Sequence, residues 1–262
     1  MKDQNKISQS TGSEQQFLDT VVNGLFANTQ ITLEKVCDMT DDAQSYSVIC
    51  ACSKPYDPKK PTILLTAGSH GDEPAGILAV IRFLNNDLQR YASRFNIVAF
   101  PCLNPSGFNA GIHNTASGIN LNDHFGRQSD DDAVRAIENK IKSIAPSVVL
   151  SFDLHEDNSG DQLGCYVYEM ISRSTNQIAH RVLGVLSPAD ICQQPVIYGE
   201  NNTNGVIGVN ADESQTALGS LHGYLKSQGV QHVMVIETPT EWPLEKRIKT
   251  HLAMIQRGLE SI

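Results

Sequence analysis

Three short apolar runs, each ending in a histidine or a glutamate, constrain this chain most. Thr62–Ala67 (TILLTA) runs into Gly68-Ser69-His70-Gly71-Asp72-Glu73, the run 147–154 (SVVLSFDL) into His155-Glu156-Asp157, and the run 231–236 (QHVMVI) into Glu237-Thr238-Pro239. Runs this short and this apolar read as strands buried on both faces, which is the signature of a parallel sheet covered by helices. Segments with helical spacing separate them: 73–84, with Pro74 in the first turn where proline is tolerated, 131–144, 175–186, 216–227 and 243–259. A further buried strand is expected at 96–100, another at 164–170, and two more at 31–37 and 46–52 around the polar turn Asp41-Asp42. The alternation predicts an α/β fold with a central mixed, largely parallel sheet and helices on both faces. Two long polar stretches, 101–130 and 193–213, are expected as loops. In such sheets, functional loops gather outside the carboxyl ends of the strands.

The 262 residues suffice for one large domain. Residues 1–13 read as a flexible tail, 14–27 as a helix, and 14–262 as a single catalytic domain. A net charge of −9 without a basic stripe argues against nucleic acid as a partner. There is no apolar stretch long enough to span a membrane and no apolar leader in the first residues, so a cytoplasmic location is the expectation. The cysteines Cys37, Cys50, Cys52, Cys102, Cys165 and Cys192 mostly sit in apolar runs and read as buried free thiols. Oligomeric state is not legible.

Two histidines and a glutamate at the ends of different buried strands form the donor set that a catalytic zinc ion uses: three protein ligands with one position left open. His70, Glu73 and His155 are the candidates, with one Zn2+ expected. Glu237, emerging from the third strand, is the candidate proton-transfer group. Singly, each has a plain structural reading. Glu73 suits a helix start, His155 a buried core position, and Glu237 a strand end. Asp153, two residues before His155 on the same strand face, is placed to orient that imidazole. The surplus of carboxylates (Asp72, Glu156, Asp157) leaves room for a second ion, although one is the expectation. Tyr198, in the second polar stretch, is a candidate substrate-facing residue. No G-x-S-x-G elbow is present, which disfavours a serine hydrolase.

Taken in order, His70-Gly-Asp-Glu73, Asn104-Pro105-Ser106-Gly107, Gly118-Ile119-Asn120-Leu121-Asn122, Asp153-Leu154-His155 and Glu237-Thr238-Pro239 resemble the zinc carboxypeptidase superfamily. The resemblance is to its succinylglutamate desuccinylase/aspartoacylase-like branch, over roughly residues 60–260. It implies zinc on His70, Glu73 and His155, Glu237 as catalytic base, and a small peptide or acyl-amino-acid substrate. It implies a metallocarboxypeptidase-type amide hydrolase acting on a peptide or amino-acid conjugate, or alternatively an N-acyl amino-acid deacylase. A catalytically silent binding domain on the same fold is the remaining reading. The chain departs from the family pattern twice. His113 stands where that pattern has an arginine, and Asp123 follows Leu121-Asn122 where it has another. His113 is therefore the candidate oxyanion donor, Asn122 and Asp123 candidate substrate contacts, and Arg127, Arg135 or Arg173 candidate replacement cations. An aspartate beside the substrate favours an ammonium group over a carboxylate.

Overall fold

A computed structural model of the chain describes residues 23–40, 44–159, 164–171, 177–210 and 219–262. The expected tail 1–13, most of the helix expected at 14–27, the turn at Asp41-Asp42 and Arg173 lie outside the described residues. So do the first residues of the helices expected from 175 and 216. The first half carries α1 (Asn23–Phe26), β1 (Ile31–Thr40), β2 (Ser45–Ser53), β3 (Thr62–Ala67), α2 (Pro74–Asn86), α3 (Leu88–Tyr91), β4 (Asn96–Phe100), α4 (Pro105–Ala110) and α5 (Asp132–Ile144). The second half carries β5 (Val148–Asp157), β6 (Tyr166–Ile171), α6 (Ala179–Leu183), β7 (Val196–Ile197), β8 (Glu200–Asn201), β9 (Val206–Asn210), α7 (Leu221–Ser227), β10 (His232–Pro239) and α8 (Leu244–Ser261).

Among the described residues, eight strands form one mixed sheet in the order β1-β2-β4-β3-β5-β10-β6-β9. Its centre is parallel: β4 pairs with β3, β3 with β5, and β5 with β10. The flanking pairs β2–β4 and β10–β6 are antiparallel. Side chains alternate between the faces, so β3 sends Ile63, Leu65 and Ala67 into one apolar layer and Leu64 into the other. The first layer packs α2, α6 and α8 against the sheet through residues such as Ile77, Phe83, Val182, Met254 and Leu259. The second packs α5 and α7 through Val134, Ile137, Ile141, Leu221 and Leu225. Strands β3 and β4 are buried at every position. That explains why these runs carry no polar alternation. All six cysteines are free, with Cys37 and Cys52 part-buried and the others buried. Among the described residues, no helix is long and apolar enough to cross a membrane.

The two expected loops required correction. The stretch 101–130 contains α4, capped by the Asn104 side chain, which accepts from the Gly107 amide. It also contains a 3-10 turn at Leu121–Asp123, capped by Asn120. The stretch 193–213 contains the β7–β8 hairpin and β9, which joins the sheet edge beside β6. The β9 sequence VIGVN is short and broken by a glycine, so its strand character depends on pairing with β6 rather than on its own pattern. Among the described residues, the helix expected at 175–186 is the five-residue α6.

Candidate active site

The carboxyl ends of β3, β5 and β10 lie side by side, and their register aligns the chemistry. Glu237 on β10 faces His155 on β5, and Tyr166 on β6 stands opposite Glu237. Beyond β3 the backbone turns through Gly68, whose φ of +65° a side chain would resist. Gly71 then passes so close to the α4 loop that a Cβ there would lie 2.0 Å from the Gly107 carbonyl carbon. This close approach, pinned by the Gly71 amide on the His113 carbonyl at 3.2 Å, sets His70 and Glu73 at the sheet end.

His70 Nδ1 lies 2.6 Å from Glu73 Oε1, and His155 Nδ1 lies 2.9 Å from Glu73 Oε2. The three side chains offer ligand atoms that all fall within 4.8 Å of one another, close enough to share one ion at ordinary bond lengths. His155 Nε2 stands 3.1 Å from Asp153 Oδ2, and Asp153 in turn accepts from the Thr66 hydroxyl at 2.8 Å. A carboxylate behind a histidine in this way orients a metal-ligating imidazole. The Glu156 amide donates to Glu73 Oε2. The Glu156 carboxylate accepts from the Ala75 amide at the start of α2 and pairs with Arg247 of α8. The donor set, its depth and its hydrogen-bonded surroundings therefore fit a divalent metal ion.

Electrostatics follow from this crowding. Burial opposes ionisation of Glu73, but the imidazoles of His155 and His70 overcome it and hold the carboxyl near 2. Burial likewise opposes a charged His155, and Asp153 and Glu73 more than offset it, holding the imidazole well above its ordinary range. Glu237 is driven the other way. Burial first, then the charges of Glu73, Asp157 and Asp153, push it well above the carboxylate range against the pull of His155.

No functionally curated protein matches the chain by sequence. The sequence model of the succinylglutamate desuccinylase/aspartoacylase catalytic domain matches residues 59–206, more than half of the chain. The chain belongs to the succinylglutamate desuccinylase/aspartoacylase family. Solved structures extend the likeness in fold over nearly all of it. A proposed metallopeptidase from Shewanella amazonensis SB2B superposes with a TM-score of 0.78 at 21% identity, over 95% of this chain and 94% of that one. A metallo-carboxypeptidase from Burkholderia cenocepacia gives 0.69 at 18%, over 94% and 67%. Bovine thrombin-activatable fibrinolysis inhibitor, solved with a tick carboxypeptidase inhibitor, gives 0.65 at 10%, over 97% of each chain. These likenesses are of fold.

In this desuccinylase/aspartoacylase-family chain, the other expected site residues fall in different places. His113 stacks on His70 with ring centroids 3.6 Å apart, and its Nδ1 lies 3.2 Å from Asp72 Oδ1. Asn122 Nδ2 lies 3.4 Å from His155 Nε2, while its Oδ1 accepts from the Leu221 amide, so the side chain ties α7 to the site. Asp123, on the same turn, is exposed. Arg127 is exposed and packs on Gly219, where a Cβ would lie 2.6 Å from its Nε. Arg135 is taken up by Asp132 and the Ser129 carbonyl. Tyr198, 67% exposed, reaches Asp157 Oδ1 with its hydroxyl at 2.9 Å, and Tyr166 donates to the other oxygen at 2.6 Å.

Two further histidines belong to the surroundings and escaped the sequence reading. His222, in the first turn of α7, feels the charges of Asp153 and His155; its Nδ1 is buried without a partner, and burial pushes it down to about 4. His251 of α8 is fully buried, 3.2 Å from the Thr238 hydroxyl, and burial pushes it down to about 3. Neither sits at the end of an apolar run, so no pattern marked them. They carry a pH prediction. An unfolded histidine takes up its proton near pH 6.5, whereas these folded ones refuse it until far lower. Their contribution to stability should therefore fall as pH drops below about 6.5, by up to about 1.4 kcal/mol per pH unit for each, a trend that the raised Glu237 opposes. Melting temperatures of chelator-stripped protein between pH 7 and 5 check this, and His251→Gln should flatten the decline. An unaltered slope in that variant would remove His251 from the explanation.

Proposed function

We propose that the chain is a metal-dependent amide hydrolase, with one zinc ion held by His70, Glu73 and His155 and with Glu237 as the proton-transfer group. The substrate class is a small peptide or an acylated amino acid. The observation that carries this reading is the convergence of two imidazoles and a carboxylate, drawn from two strand ends, beside a fourth acidic side chain on a third strand. A divalent ion on those donors would polarise a carbonyl, acidify a water and, by its charge, favour the ionised form of Glu237.

The chain's own groups would do the rest. Glu237 accepts a proton from the attacking water and returns it to the leaving nitrogen. Asp153 keeps the His155 ring in one orientation, and the Glu156 amide keeps Glu73 in place. His113 is the proposed donor toward the developing oxyanion. Its Nδ1 is turned to Asp72, so Nε2 is the nitrogen available to donate an N–H toward substrate. Tyr198 is the proposed mouth residue, steered by Asp157. Asn122, Asp123 and Arg127 are the proposed substrate-side groups.

The family match favours an N-acyl amino-acid deacylase, and the fold neighbours favour a carboxypeptidase. The surplus of acid in the site favours substrates that bring an ammonium group to it. A panel of N-acyl amino acids and short peptides, including ones ending in diamino residues, assayed with and without chelator, tests both. Turnover of at least one amide, lost with chelator and restored by Zn2+, is expected. A panel that is silent in the zinc-loaded protein would leave a binding domain as the better reading.

A further inference from the structure

A second set of donors stands next to the first. Asp72, Glu73 and His113 each offer a ligand atom, and these atoms all lie within 4.8 Å of one another. The loop that brings His113 here is pinned by its carbonyl, which accepts from the Gly71 amide at 3.2 Å and from Asn104 Nδ2 at 3.3 Å. The His113 ring lies nearly parallel to that of His70, 20° off, with centroids 3.6 Å apart. Two stacked imidazoles, each giving a nitrogen to its own ion, would hold those ions at about the spacing of the rings. Two-metal hydrolase centres place their ions roughly 3.5–4 Å apart and need a bridging ligand. Glu73 belongs to both donor sets and has two oxygens to divide between them.

Charge points the same way. Asp72, Glu73, Asp153, Glu156 and Asp157 crowd the ends of these strands and the turn beyond β3, and Arg247 answers Glu156. One dication and Arg247 still leave about two negative charges, which a second dication would balance.

We propose that Asp72, Glu73 and His113 form a second, weaker divalent-cation site, bridged to the first through Glu73. The proposal rests on the reading of Glu73 as a ligand of the first ion. Imidazole and carboxylate donors suit Zn2+ or Mn2+. The His113 and Asp72 side chains are 43% and 30% exposed, against 2% and 5% for His155 and Glu73. The second ion is therefore the exchangeable one, and its occupancy follows free metal.

The test is a titration of Zn2+ into chelator-stripped full-length protein, followed by native mass spectrometry and calorimetry. The wild type should take up two ions, the second at least about tenfold more weakly, because a wetter site with fewer buried partners binds less tightly. Asp72→Asn and His113→Ala should each stop at one ion; both residues are part-exposed, and circular dichroism checks that the variants fold. Saturation of the wild type at one ion would overturn the second site, as would two ions in both variants. Failure of the wild type to bind any zinc would instead overturn the reading of Glu73 as a ligand, on which the proposal stands.

Discussion

Glu237→Gln should lower kcat by about 10²–10⁴-fold, the range that a positioned acid–base group contributes, while the protein should still bind zinc and melt near the wild-type temperature. The reason lies in the position of the side chain. Glu237 stands in register with His155 across the β5–β10 pair, part-exposed at the end of a buried strand, where it can meet a substrate without being a donor to the ion. Glutamine keeps the shape and removes the proton acceptor. It also removes a group that burial and neighbouring carboxylates already push toward neutrality, so the fold should lose little. The decisive measurement pairs kcat on the best substrate of the panel with metal content. Near-wild-type turnover would take the base away from Glu237. Lost zinc would make it a ligand rather than a base.

The second large effect is on metal retention. His155→Ala should leave purified protein without zinc at micromolar free metal, since it deletes one of three donors from a buried site. Asp153→Asn should be milder, costing about 10–100-fold in affinity through loss of the partner that orients the imidazole. The two variants also differ in proton linkage. In the metal-free protein His155 holds its proton well above the ordinary histidine range, because Asp153 and Glu73 flank it. A metal must displace that proton, so affinity should weaken as pH falls, by about tenfold per pH unit for one proton. Asp153→Asn removes one of the two carboxylates that hold the proton, so its pH dependence should be shallower. Calorimetry in buffers of different ionisation enthalpy measures the protons released. If none is released at neutral pH, the cationic His155 of the metal-free state is excluded.

The stronger the local cause of a feature, the more plainly the sequence showed it. Buried parallel strands need no polar alternation, so TILLTA, SVVLSFDL and QHVMVI announced themselves, and with them the strand ends carrying His70, Glu73, His155 and Glu237. The i, i+2 spacing of Asp153 and His155 put both on one strand face, and the structure joins them at 3.1 Å. The β9 strand was invisible because five residues with a glycine become a strand only when β6 supplies the partner. Helices α4 and α7 were misread or overextended because their starts are set by side-chain caps, Asn104 and Ser220, not by apolar period.

Sequence alone determined which residues could carry chemistry here and that four of them would emerge at the carboxyl ends of three central strands, since the strand period and the carboxyl-end rule are local and general. Only the tertiary structure decided which side chains meet. It stacked His113 on His70, turned Asp72 to His113, drew Arg247 from the last helix onto Glu156, and placed His222 and His251 near the charged cluster. These contacts join segments far apart along the chain, 91 positions in the case of Glu156 and Arg247. They depend on loop paths and helix packing angles, which no local pattern of residues specifies.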